Sequence, residues 1–142
     1  MAAEICYKLE PDLLVAEFIS VLQSSTLAER RPIEDVPRMD LMLRQADIIL
    51  TARCEGKLVG ISRTLTDRSY STYLADLAVA STHQGQGIGK ELIRRTHEAA
   101  GLHTHLILIA APGARSYYPH IGMDSHDSCW MIRGEKPPMS LS

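Results

Sequence analysis

The chain has 142 residues, the usual size of one compact domain, with 45% hydrophobic and 23% charged residues. Fifteen Lys and Arg against seventeen Asp and Glu leave a formal charge of −2, and aromatics make up only 5%. This balance argues against a general electrostatic grip on nucleic acid or an anionic membrane, and against a base-stacking surface. Cys6, Cys54 and Cys129 are widely spaced without a C-x-x-C pair, which excludes a disulfide framework or a structural zinc site. Met1 to Lys8 lacks the pattern of a signal peptide, and the apolar runs are too short to span a bilayer. The expected location is the cytoplasm. One domain is expected over residues 1–135, followed by a disordered tail at 136–142.

In chain order, Ile5 to Leu9 is a short strand, and Pro11-Asp12 opens a helix with an apolar stripe of Leu13, Leu14, Ala16, Phe18, Val21 and Leu22. The charged linker Glu29-Arg30-Arg31-Pro32 leads to a weaker helix over Ile33 to Ala46, with Val36, Met39, Leu41 and Leu43 facing inward. Ile48 to Arg53 and Leu58 to Leu65 read as a β-hairpin around Glu55-Gly56-Lys57. Tyr70 to Val79 follows the turn Asp67-Arg68-Ser69 as a third strand of an antiparallel meander. From Gly87 the period becomes helical and stops at Gly101. His105 to Ala110 is an apolar strand, expected to be buried on both faces beside a parallel neighbour. A short helix over Gly113 to His120 and a last strand over Cys129 to Arg133 complete the pattern. The fold class is α/β: a mixed, mostly antiparallel twisted sheet flanked by helices.

The sharpest local feature is the run Val79 to Lys90, in which a strand ends and three alternating glycines, Gly85, Gly87 and Gly89, enter a helix. Glycine allows close backbone approach and positive φ, and free N–H groups at a helix start suit a phosphate. The same glycines could instead serve only to relieve crowding at the turn. A dinucleotide fingerprint fails because Lys90 stands where its third glycine belongs, and a P-loop fails because Glu91 follows Gly89-Lys90.

Read as Q-x-x-G-x-G, Gln84-Gly85-Gln86-Gly87-Ile88-Gly89 resembles the acetyl-CoA signature of the GNAT N-acetyltransferase family. The run Ala114-Arg115-Ser116-Tyr117-Tyr118-Pro119-His120-Ile121-Gly122-Met123 is similar to that family's A-x-x-x-Y-x-x-x-G-F element. The resemblance is clearest from about Leu50 to Met123 and implies the GNAT fold, with acetyl-CoA as cosubstrate. It implies that Leu77, Ala78 and Val79 pair through their backbone with the pantetheine arm, a backbone N–H near Leu77 holding the thioester oxyanion. The pyrophosphate would rest on the N–H groups of Gly85, Gln86, Gly87, Ile88, Gly89 and Lys90, after Gln84. Tyr118 would protonate the leaving thiolate, which a phenol of pKa about 10 can do in a dry site. Tyr117 reads as packing.

The sequence departs from the family where a base is often found: that position holds Tyr73. Asp76 is the nearest carboxylate and the candidate catalytic base, and strand parity puts it on the face of Leu74 and Ala78 unless a bulge re-aims it. A structural hydrogen-bonding role, a water relay, or Glu55 or Glu34 as base stay open. Ala111 replaces an Asn and Met123 a Phe. His103 and His105 share a strand face without a third ligand, so no metal site is expected. The resulting expectation is transfer of acetyl to the primary amine of a small-molecule acceptor. A peptide, protein Lys or N-terminal acetyltransferase and a non-catalytic acyl-CoA-binding domain are the alternatives. A homodimer is compatible with the sequence; nucleic acid and membrane are not expected partners.

Overall fold

The structure, a computed structural model, describes residues 3–135. The expected tail at 136–142 lies outside the described residues. Strands β1 (Ile5–Leu9), β2 (Ile48–Cys54), β3 (Lys57–Thr66), β4 (Ser71–Val79) and β5 (His105–Ile107) form one sheet in the order β1-β2-β3-β4-β5. The first four pair antiparallel and β5 runs parallel to β4. Helices α1 (Val15–Ser25), α2 (Val36–Arg44), α3 (Ile88–Ala100) and α4 (Tyr117–His120) flank the sheet, with short 3-10 turns between elements, so its mixed, mostly antiparallel pairing is as the patterning predicts. Between β2 and β3, Glu55 and Gly56 take φ of 51° and 81°, the left-handed pair that matches the twist of a hairpin.

Each face of the sheet carries its own core. Ile49, Leu58, Ile61 and Ala78 pack with Phe18, Val21 and Leu22 of α1 and Met39 and Leu43 of α2. Ile48, Leu50, Ala52, Val59 and Ala80 pack with Ile88, Leu92 and Ala100 of α3. The buried α3 residues recur every four positions (88, 92, 96, 100), the stripe of an amphipathic helix. At Gly60 the sheet packs tightly under α3: a Cβ there would meet Ile88 Cγ2 and Leu92 Cδ1 at 3.1 Å.

Several expectations are corrected. Helix α2 begins at Val36 rather than Ile33, because the Asp35 side chain accepts the Arg38 N–H and Pro37 falls in the first turn, where its missing donor is not needed. Its axis leaves Val36 and Leu41 exposed, as Leu14 and Ala16 are at the start of the first helix. Strand β5 is shorter than predicted and is not buried on both faces. It pairs with β4 over three residues and then leaves the sheet edge, so Ile107 and Ile109 stay exposed. Cys129 to Arg133 forms no strand, since it finds no ladder partner among the described residues; Trp130 and Ile132 are 90% and 99% exposed. The predicted helix over Gly113 to His120 splits into a 3-10 turn, Pro112–Ala114, and α4.

Gly60→Val forces side-chain atoms against Ile88 and Leu92 of α3. It is expected to lower stability by about 1–3 kcal/mol, read as a fall in the urea midpoint at unchanged slope.

Candidate active site

The site is built around the parting of β4 and β5. The two strands pair only from Ser71 to Tyr73 against His105 to Ile107, while β4 continues to Val79. Beyond Tyr73, the β5 side of β4 is an unpaired strand edge, which is what backbone pairing with an extended ligand requires. Leu77, Ala78 and Val79 lie along this stretch.

A bulge sets which way its side chains face. The register on β3 shifts between Arg63 and Thr64, so Asp76 lies opposite Arg63, Leu74 opposite Thr64, and Ala75 has no partner. The bulge anticipated as an exception is present. Asp76 keeps company with Ala78 on the α1 and α2 side, while Leu74 shares the face of Thr64 and Ser62, whose hydroxyl bonds Thr96 of α3 at 2.6 Å.

Asp76 is 1% exposed, and both carboxylate oxygens are occupied: Arg31 Nε donates to Oδ1 at 2.6 Å and Arg63 Nε donates to Oδ2. Arg31 also donates to the carbonyls of Ala75 at 3.0 Å and Arg30 at 2.8 Å. The guanidinium thereby clamps the bulge from the segment after α1. This geometry gives Asp76 charge pairing and hydrogen bonding in place of open access to an acceptor amine. Sequence reading missed Arg31 and Arg63 as partners. An Asp within a buried strand demands a cation, but spacing does not reveal which one.

At the other end of β4, the Gln84 amide donates to the Val79 carbonyl at 2.9 Å, fastening the glycine turn to the strand before it. Gly85 and Gly87 take φ of 79° and 83°, and Gly87 is the N-cap of α3 without any side-chain cap bond. The first intrahelical bond runs from Glu91 N–H to the Gly87 carbonyl, so the N–H groups of Ile88, Gly89 and Lys90 precede the helical ladder. Gly85, Gln86, Gly87 and Lys90 are exposed, whereas Ile88 and Gly89 are buried. A free, uncapped helix start with orphan donors fits an anionic group such as a pyrophosphate.

Tyr118 and Tyr117 on α4 meet edge to face, ring centroids 5.3 Å apart. Burial pushes the Tyr118 phenol above its usual pKa of 10.0, with a smaller push from Tyr117. Tyr117 packs its ring against Tyr118, and its hydroxyl reaches the start of α3. A Cβ on Gly89 would lie 2.9 Å from that oxygen. Two cavities lie among these elements. One of about 300 Å³ lies between Gly87, Lys90 and Ile93 of the α3 region and Ile121 and Met123 after α4. The other, about 210 Å³, lies between Tyr73, Ile109, Arg30, Arg31 and Arg133. Among the described residues no cluster of His, Cys, Asp or Glu could hold a metal, and no helix is long and apolar enough to cross a membrane.

The model of the acetyltransferase (GNAT) domain family matches residues 45–122. The chain belongs to the GNAT acetyltransferase family. A GNAT family acetyltransferase from Streptococcus pneumoniae is 19% identical with a TM-score of 0.70, over 94% of this chain and 100% of that one. An aminoglycoside N-acetyltransferase in complex with CoA is 13% identical with a TM-score of 0.73, over 96% and 98%. A ribosomal-protein-alanine N-acetyltransferase from Brucella melitensis biovar Abortus is 24% identical with a TM-score of 0.66, over 94% and 100%. No match is found among curated protein sequences. At such identities the likeness carries the GNAT fold, and the site rests on the geometry above.

Asp76→Ala in this GNAT chain leaves Arg31 and Arg63 without their shared anion. It is expected to cost about 3 kcal/mol or more in urea unfolding, the scale for removing one partner of a buried ion pair.

Proposed function

We propose that this GNAT chain transfers an acetyl group from acetyl-CoA to the primary amine of a small molecule by direct attack. The observation that carries the reading is the coincidence, on one strand, of an unpaired edge over Leu77 to Val79 and an uncapped helix start at Gly85 to Lys90. An extended arm ending in a pyrophosphate needs both, in that order. In this reading the edge of β4 aligns the arm, a backbone N–H near Leu77 holds the oxyanion, and the orphan N–H groups bind phosphate oxygens. Acetyl-CoA supplies an activated acyl group on a good leaving thiol.

Tyr118 then acts as the acid. As the amine nitrogen bonds to the carbonyl carbon and the C–S bond breaks, the phenolic proton moves to the departing sulfur, the nitrogen's proton passes to water, and the Tyr118 phenolate regains a proton from solvent. The raised Tyr118 pKa serves this role, because the phenol stays protonated throughout the neutral range. Asp76 is assigned a positioning role. Both its oxygens accept from guanidinium groups, and its side chain is fully buried, so the amine must shed its proton to solvent.

The test is thiol release over a panel of amines, with Tyr118→Phe alongside. The variant is expected to lose about 100-fold in kcat at unchanged acetyl-CoA affinity by calorimetry. An unchanged kcat removes the acid role, and absence of thiol release with any amine, despite tight acetyl-CoA binding, turns the reading toward a non-catalytic binder. In the parent protein, loss of the acid form is expected only above about pH 10, since burial raises the Tyr118 pKa. A fall in kcat beginning below pH 9 and absent in Tyr118→Phe contradicts the assigned state.

A further inference from the structure

The cavity beside Tyr73 carries chemistry that the acetyl-transfer reading does not use. Its polar wall is cationic: Arg30, Arg31 and Arg133 line it, no carboxylate does, and Ile109 and Met131 supply apolar surface. Arg31 is fixed by Asp76 and the Ala75 carbonyl, so it is held in one orientation. Asp76 is the anion behind this wall, and it is shared between Arg31 and Arg63, leaving one cation uncompensated. Arg30 and Arg133 are exposed and form no ion pair among the described residues. An exposed, unpaired guanidinium presents a planar fork of donors whose match is a carboxylate or phosphate.

The cavity is also placed for an acceptor. Tyr73 is the last β4 residue paired with β5, so the cavity opens where the strands part, beside the stretch proposed to align the thioester. Its 210 Å³ is below the roughly 300–1,000 Å³ of drug-sized ligand sites, which suits a small molecule. A polycation would meet three positive side chains there without a compensating acid. The net charge of −2 gives no hint of this, because the positive charge is local.

We infer that the acceptor is a small acidic amine, one that carries a carboxylate or phosphate as well as the amino group, with its oxyanion held by Arg30 and Arg133 against the fixed Arg31. The inference rests on the acetyl-transfer reading and names the substrate class of the same site. An oxyanion gripped at the rim orients the amine inward along the apolar wall, toward the carbonyl carbon.

Matched acceptors separate the possibilities: amino acids against their carboxamides, a phosphorylated amino alcohol against its parent, and a polyamine. Thiol release is followed with acetyl-CoA, and direct binding of each amine is followed by calorimetry. The acidic member of a pair is expected to show at least tenfold higher kcat/KM, and the stronger of the carboxylate and phosphate arms identifies the group. Arg133→Glu and Arg30→Glu are each expected to raise KM for the acidic amine roughly tenfold and to shrink its preference over the neutral partner. Lys at either position should recover part of that preference. If carboxamides or the polyamine are the better acceptors, the acidic-amine inference is overturned while acetyl transfer stands. If acidic amines bind through Arg30 and Arg133 but no amine releases thiol, acetyl transfer falls and the anion site stands.

Discussion

At Ala75, strand β4 holds one residue more than the β3 strand opposite, and the cleft depends on that insertion. A bulged strand bends and twists away from its neighbours. Here the paired stretch with β5 stops at Tyr73, two residues short of the bulge, and β4 runs on alone at that edge to Val79. The free edge is a liability in a folded protein unless something occupies it. In the proposed function, that occupant is the extended arm of the cosubstrate. The bulge also turns Asp76 to the side of the N-terminal helices, where Arg31 and Arg63 neutralise it and hold the bend in place. One irregularity therefore creates the cleft, fixes its wall, and orients the charges around it.

The two halves of the cleft are served by different chemistry. Toward α3, the donors are backbone N–H groups at an uncapped helix start, a surface that needs glycine rather than lysine-rich sequence. Toward α1 the donors are side chains, Arg30 and Arg133 around the fixed Arg31. This division explains how a chain of net charge −2 offers two anion-compatible surfaces. It also separates what the GNAT fold supplies through its backbone from what this chain supplies through its own residues.

Legibility in the sequence tracked the range of the interactions. The meander, the hairpin at Glu55-Gly56 and the glycine turn were readable because alternation, turn chemistry and helix starts are local signals. The Tyr element was readable as a spacing, though the reach of the Tyr117 hydroxyl to the start of α3 was not, because it joins residues far apart in the chain. Cys129 to Arg133 has strand composition yet lacks a partner among the described residues, which composition alone cannot reveal. Apolar runs suggested that β5 was buried on both faces; its early departure from β4 leaves Ile107 and Ile109 at an open edge instead. The Arg31–Asp76–Arg63 arrangement spans 45 residues of sequence between its first two members, and the charged linker gave no sign of it.

The central claim is that the parted edge of β4 and the start of α3 form one continuous seat for acetyl-CoA. Amide chemical shifts recorded by nuclear magnetic resonance during titration with acetyl-CoA test it residue by residue. The account predicts the largest, saturable changes at Leu77 to Val79 and at Gly85 to Lys90, together in one binding event. Changes confined to other parts of the sheet, or none at millimolar acetyl-CoA, would contradict it.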